Sequence, residues 1–276
     1  MEPDRPRRLI VNADDFGSAR DVNEAVIRAH RDGILTSASL MVNEPAATEA
    51  VALARQHPTL GVGLHLVLAG GRAALPPRQI PGLADDRGQF AHDAVRAGFR
   101  LFFRHSLRAE LEREIAAQFR AFSETGLTLD HVNGHLNLQL HPTVFPLALA
   151  GTARHPTAGF RLTRDSFRLD LQLSRGAWVY RISHAVIFAL LSALARPRLK
   201  SAGVRHTDRV FGLLRNARVD EDYLLALLAR LPPGDSEIYA HPSLTGFRHE
   251  LDALTSRPVK ELVARQAIRL VRYQDL

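Results

Sequence analysis

The chain of 276 residues contains no cysteine. Disulfide staples, thiolate metal sites and cysteine nucleophiles are therefore excluded together. The absence suits a reducing compartment, and a cytoplasmic location is the expectation. Long hydrophobic runs are also missing. The longest is "AVIFALLSALA", Ala185–Ala195, well short of the roughly 20 apolar residues a membrane-spanning helix needs. The N-terminal "MEPDRPRR" is polar, and no apolar leader core follows its basic residues. A soluble protein is expected. A glycine-rich phosphate fingerprint is lacking too; "NADDFG" stands in its place after the first strand. Zinc-finger and RNA-recognition signatures are absent as well, so nucleic acid is not an expected partner.

What is present suits one substantial core: 46% of residues are hydrophobic and 24% charged. No repeat, low-complexity tract or linker divides the chain, so residues 1–276 read as one domain. The net charge is +7, from 36 basic against 29 acidic residues. Such a balance fits an anionic partner or an arginine-rich solvated surface. The dispersion of the arginines along the chain favours the second reading.

Strand-like and helix-like stretches alternate. "RLIVNA", "SASLMVN", "LGVGLHLVL", "LDHVNGH" and "GFRLTRD" read as strands, the third with glycines that allow close packing. Helical spacing marks "SARDVNEAVIRAHRDG", "AATEAVALARQHP", Leu107–Thr125 and "PTVFPLALAGTARH". A Gly/Pro-rich loop spans about 69–88. Later, 177–195 and "EDYLLALLARLP" read as helices and "SEIYAHP" as a strand. "VKELVARQAIRLVRY" closes with a helix and a last strand. Alternation of this kind predicts an α/β fold with a mainly parallel sheet. An irregular (β/α) barrel fits the length and the missing fingerprint better than an open dinucleotide-binding sheet.

Polar side chains gather at the predicted strand ends: Asp14 and Asp15, His65, the pair His131 and His135, and His241. In a parallel barrel those ends meet on one face. A carboxylate with two imidazoles suits a divalent metal, and a second carboxylate beside it suits a general base on water. Taken singly, each has a plainer reading, as a core histidine, a turn residue or a cap. Adjacent strand residues face opposite ways, so Asp14 and Asp15 reach one site only if the strand turns there; Gly17 permits a turn. Arg161 in "GFRLTRD" reads as a substrate contact or a surface salt bridge. Asn12 and Asn43 are candidates to order the aspartates.

The motifs "LIVNADDFG", "GLHLVL", "DHVNGH" and "YAHPS" resemble, in order, those of the YdjC-like carbohydrate deacetylases. The run from Asn23 to Asn43 and the C-terminal stretch resemble the family as well. The resemblance implies an irregular (β/α) barrel and one divalent metal ion, magnesium or zinc. It implies hydrolysis of the N-acetyl group of an acetylated amino sugar. By motif, Asp15, His65 and His135 become metal ligands, Asp14 the base and His241 the acid. Asp208 and Phe211 in "TDRVFG" match a family position in substrate binding. A run of further histidines often follows the residue matched by His135; here "HLNLQLHP" has Asn137 and Gln139, amides suited to sugar hydroxyls. The insert beginning "RISHAVIFALL", within about 170–205, resembles the hopanoid-biosynthesis branch. That branch implies an N-acetylglucosaminyl hopanoid as substrate. Alternatives are a chitooligosaccharide deacetylase, a sugar-binding barrel without catalysis, and another metal hydrolase such as a phosphodiesterase.

The segment Trp178–Lys200 carries two readings. One is a buried helix whose basic end, Arg196, Arg198 and Lys200, suits the helix dipole. The other is a flap meeting a lipid-linked substrate at a membrane surface, with peripheral contact at the inner membrane. A homodimer stays open.

Overall fold

The structure is a computed structural model that describes residues 5–173, 176–215 and 217–276. The start of the polar N-terminus and residues 174–175 of the expected insert lie outside these. The strands are β1 (Arg7–Phe16), β2 (Ser37–Leu40), β3 (Gly61–Leu66), β4 (Leu129–Gly134), β5 (Gly159–Phe160), β6 (Arg209–Phe211), β7 (Gly234–Ala240) and β8 (Arg269–Leu270). They form one sheet in the order β5-β4-β3-β2-β1-β7-β6, with β8 paired to β1, and every pairing is parallel. The two edges meet. Phe160 N–H donates to the Arg205 carbonyl (2.8 Å), and Val210 N–H donates to the Arg164 carbonyl (3.0 Å). The sheet thus curls into an irregular barrel, the expected architecture.

Alternation along the strands explains what fills it. Leu9, Val11, Ala13, Ala38, Leu40, Val62, Leu64, Leu66, Val132, Phe160, Ile238 and Ala240 belong to the main apolar core. They pack outward with the helices α1 (Arg20–Asp32), α2 (Ala47–Gln56), α4 (Arg108–Glu124), α5 (Phe145–Thr152), α8 (Glu221–Leu228), α9 (Arg248–Thr255) and α10 (Arg257–Arg265). The alternate residues are polar: Asn12, Asp14, Ser37, Ser39, His65, His131, Asn133, Glu237 and Tyr239, all buried. Successive side chains point to opposite faces, so these fill the barrel interior. The strand glycines make the room: a Cβ on Gly63 would lie 2.4 Å from the His131 ring, and one on Gly61 would lie 2.8 Å from the Asp130 carboxylate. At the far end the C-terminal Tyr273 stacks on His131 with centroids 4.8 Å apart and donates to Glu237.

Three elements escape the sequence reading. Ala94–Phe103 is a helix, α3, and β6 and α9 were not separable from loop. The predicted fifth strand is only two residues long, although its ladder continues in Arg161 N–H to the Val132 carbonyl (3.0 Å). The expected insert forms α6 (Phe167–Leu173) and the 24-residue α7 (Trp178–Ser201).

The buried-helix reading of α7 is overturned. Arg181, Ser192, Ala195 and Leu199 are its buried residues, and most of its apolar side chains face outward. By length and composition α7 is also sufficient to cross a membrane, with mean hydropathy 1.5 over an 18-residue window that is 17% buried. The contiguous apolar run understated this, because Ser183 and His184 end it while the apolar residues continue before them to Trp178 with Arg181 as the one charge between.

Past β5, Asp165 accepts from Leu214 N–H (3.2 Å). Burial pushes its carboxyl up to about 7. An ordinary unfolded aspartate titrates near pH 4, so between about 4 and that value the native chain holds a proton the unfolded chain has lost. Stability therefore falls as pH rises through this window. Asp165→Asn keeps an acceptor for Leu214 and removes the titration. Urea midpoints measured across the window should fall less steeply for Asp165→Asn, and above it the variant should be the more stable chain.

Candidate active site

The C-terminal strand ends converge as expected. β1 runs beside β7 in register Ala13–Ala240, which brings Asp14 and Asp15 alongside His241. β3 pairs His65 with Asn133 and Leu66 with Gly134, which carries His135 in next to them. Asp14, Asp15, His65, His135, Asn137 and His241 line one cavity of about 500 Å³. Val95, Leu136, Tyr180, Phe188 and Phe247 complete its apolar walls.

The adjacent aspartates share this cavity because the backbone turns at Asp15 itself. Its φ is +63°, in the left-handed region, and the β1–β2 register shifts between Ala13 and Phe16. Gly17 follows at φ +92°, and its N–H donates to Asn23 Oδ1 (2.8 Å). Leu136 and Asn137, after His135, are also left-handed, at +56° and +57°. Such backbone costs about 1–3 kcal/mol per residue and persists only where the surroundings impose it.

Asp15 Oδ1 lies 3.3 Å from His65 Nε2 and 3.1 Å from His135 Nδ1. The three donor atoms fall within 4.8 Å of one another. Asn133 Nδ2 is committed to Asp14 and Ser39, so its Oδ1 accepts from His65 Nδ1 (2.7 Å). That bond fixes the tautomer and leaves the His65 Nε2 lone pair aimed at a carboxylate oxygen. The Asp15 Oδ1 atom is buried with no hydrogen-bond partner among the described residues. Burial disfavours charge on Asp15, yet with protons on the facing imidazole nitrogens the His135 and His65 contacts outweigh it and hold the carboxyl well below its usual range; with lone pairs there instead, the anion is left for a cation to answer. An anion and imidazole lone pairs around one point are the donor set of a divalent cation. The residues fit the metal the family resemblance implies.

Asp14 has a different environment. Arg161 grips it as a fork, with Nη1 2.6 Å from Oδ2 and Nη2 2.8 Å from Oδ1. Asn12 (2.8 Å) and Asn133 (3.1 Å) also donate to Oδ1. Oδ2 accepts from Arg161 alone among the described residues. Burial would raise the Asp14 carboxyl, but the Arg161 guanidinium outweighs it and holds it far below the carboxylate range. Behind lies a buried chain: Asn12 donates to Ser39 Oγ (2.8 Å), Ser39 Oγ meets His131 Nε2 (2.9 Å), and His131 Nδ1 meets Asp130 (3.0 Å). His131 therefore supports the interior and lies away from the cavity.

Arg161 is neither a substrate contact nor a surface pair. It is fully buried, bonds Glu237 Oε1 through Nε (2.9 Å) as well as Asp14, and lies 4.4 Å over the Tyr239 ring. The ladder continuing past β5 turns it inward. Asp208 does not reach the cavity: it precedes β6, at the opposite end of the parallel sheet, and pairs with Arg5 (3.2 Å). Phe211 is buried in the main core. Asn43 donates to the Arg72 carbonyl (3.2 Å) and orders neither aspartate, whereas Asn12 does. Of the two amides after His135, Asn137 reaches the cavity and accepts from Thr163 (2.8 Å), while buried Gln139 holds Thr163 Oγ1 (3.1 Å).

Sequence reasoning missed Ser39, Asn133, Glu237 and Glu250. Glu250 is fully buried on α9, accepts the backbone N–H of His241, and has its Oε2 3.8 Å from His241 Nδ1. The signal for such residues is an acid, amide or hydroxyl at an inward strand position or an acid on an apolar helix face.

Removing one member of a buried ion group leaves the other charges uncompensated. Arg161→Ala should lower stability by about 3–5 kcal/mol, read as a shifted urea midpoint. Arg161→Lys, which keeps the charge and loses the fork, should fall between the two. A shift no larger than that of an exposed arginine would contradict this role.

The profile of the YdjC-like protein family matches residues 8–265. The chain is 42% identical over 161 residues to a carbohydrate deacetylase of Geobacillus stearothermophilus, a match covering 58% of this chain and 62% of that protein. The matched stretch thus spans less than two thirds of that relative. It is 30% identical over 271 residues to a chitooligosaccharide deacetylase of Serratia marcescens, covering 97% of this chain and 98% of the relative. Among solved structures, an Enterococcus faecalis protein named for cellobiose-phosphate cleavage superposes with a TM-score of 0.76 at 26% identity, over 98% of both chains. The barrel, the motifs at its strand ends and the match along nearly the whole chain agree: the protein belongs to the YdjC-like family.

Proposed function

We propose that the protein hydrolyses the N-acetyl group of an acetylated amino sugar, releasing acetate and the free amine. The observation that carries this reading is one cavity lined by the Asp15–His65–His135 donor set, Asp14 and His241 together. The names of the Geobacillus and Serratia relatives support it.

A bound divalent cation supplies Lewis acidity toward the amide carbonyl and lowers the pKa of water. Two imidazoles and a carboxylate favour zinc over magnesium, which prefers oxygen ligands. Asp14 accepts a proton from the attacking water. Its Oδ2, with a single donor, keeps a lone pair for that purpose, and Arg161 holds the carboxylate in place. As the water oxygen bonds to the carbonyl carbon, the C–N bond breaks. His241, which lines the same cavity from the end of β7, gives the proton that the leaving amine needs. Asn137 offers an amide to the sugar hydroxyls.

For the substrate we propose an N-acetylglucosaminyl hopanoid. Support comes from the insert's resemblance to the hopanoid branch and from the apolar walls at Val95, Leu136, Phe188 and Phe247. The Serratia relative's name favours a second reading, a chitooligosaccharide. Acetate release measured by mass spectrometry from the hopanoid glycoside and from diacetylchitobiose separates them. A higher kcat/KM on the sugar alone would select the second. No release from either would leave a sugar-binding barrel.

Asp15→Asn and His65→Ala should lose bound metal and activity together, by metal analysis and acetate assay. Asp14→Asn and His241→Ala should retain metal while kcat falls by roughly 10²–10⁴-fold. Full turnover by a verified metal-free enzyme would refute the metal's role.

A further inference from the structure

The outward face of α7 has no covering partner among the described residues. Val179 is 86% exposed, Leu190 63% and Leu194 71%, with Ile182, Val186 and Ile187 exposed between them. Their spacing puts them on one stripe of the helix, about 22 Å long at 1.5 Å rise per residue. The opposite face is fastened. Buried Arg181 pairs with Asp170 (2.6 Å), Ser192 Oγ donates to the Thr163 carbonyl (2.9 Å), and Tyr180 Oη donates to the Leu213 carbonyl (3.0 Å). A helix tied down in this way presents its stripe from a fixed position.

A second bare apolar surface lies across the cavity mouth. On α3, Phe99 is 62% and Phe103 68% exposed, their rings stacked 6.2 Å apart, and Phe102 is exposed beside them. Val95 of α3 and Tyr180, His184 and Phe188 of α7 all line the cavity. The two surfaces thus flank its opening.

Charge selects the occupant. Neither α3 nor α7 contains an acidic residue. Exposed Arg96 and Arg104 stand on and beside α3, and exposed Arg198 and Lys200 end α7. The whole chain carries +7. A second copy would bring the same positive charge to the same place. The stripe itself carries no carboxylate, and Arg96, Arg104, Arg198 and Lys200 stand beside the two surfaces against Asp93 at the start of α3; this matches an anionic bilayer, whose surface attracts basic side chains while the stripe enters the headgroup boundary. The Arg181–Asp170 pair and the Ser192 and Tyr180 bonds oppose transmembrane insertion, which would have to break them.

We propose that α7 and α3 dock the protein on an anionic lipid bilayer with the cavity mouth facing the membrane. This inference stands on the surface alone, whichever sugar the site accepts. The test is co-sedimentation of the full chain with phosphatidylcholine vesicles, with and without phosphatidylglycerol. The chain should sediment with the anionic vesicles and not with the neutral ones. Leu190→Asp/Leu194→Asp should weaken that binding by roughly tenfold or more, with circular dichroism and the urea midpoint of the soluble chain unchanged. Arg198→Glu/Lys200→Glu, which leaves the stripe intact, should also weaken it. Absence of binding to anionic vesicles, or equal binding by wild type and both variants, would overturn the proposal. So would light scattering that shows a stable dimer which the leucine variant dissociates, since a second copy would then cover the stripe.

Discussion

The structure depends on one guanidinium. Arg161 joins Asp14 of β1 to Glu237 of β7 from a segment that extends β5, one edge of the sheet. The same ion group therefore ties together the strand that carries the aspartates, its neighbour and the far edge that closes the barrel. A barrel with a hydrocarbon interior would close by packing. Here the interior is built from serines, amides, histidines and charges, and it holds because they answer one another across the strands. Asp130, His131, Ser39, Asn12 and Asn133 continue the network to the carboxylate that faces the cavity.

Much of the architecture was legible in the sequence because the outward faces of the strands are apolar and the helices between them are periodic. The convergence of Asp14, Asp15, His65, His135 and His241 was legible for a topological reason: parallel strands place their C-terminal ends together. The inward face was not. Ser39 and Asn133 look like ordinary interruptions until register sets them side by side. Arg161 was misread because a two-residue strand gives no sign that its ladder continues inward. Asp208 sits at the start of its strand, and proximity in sequence to a strand does not say which end of the barrel a residue occupies. On α7, residue types alone did not reveal which face the rest of the chain would cover.

The two aspartates are neighbouring carboxylates at the end of an apolar strand, two like charges on adjacent residues. The structure separates their problems. Arg161 answers the charge of Asp14, and the imidazoles of His65 and His135 surround Asp15. A single left-handed residue makes the separation possible, since an extended backbone would have aimed one carboxylate outward.

That torsion has another consequence. The distances from Asp15 to His65 and His135 are set by packing across strands and change whenever the barrel breathes. The spacing between Asp14 and Asp15 spans one peptide unit, whose dimensions are covalent. The two Cα atoms therefore keep their separation through thermal motion, while the carboxylates they carry are positioned by Arg161 on one side and by the two imidazoles on the other.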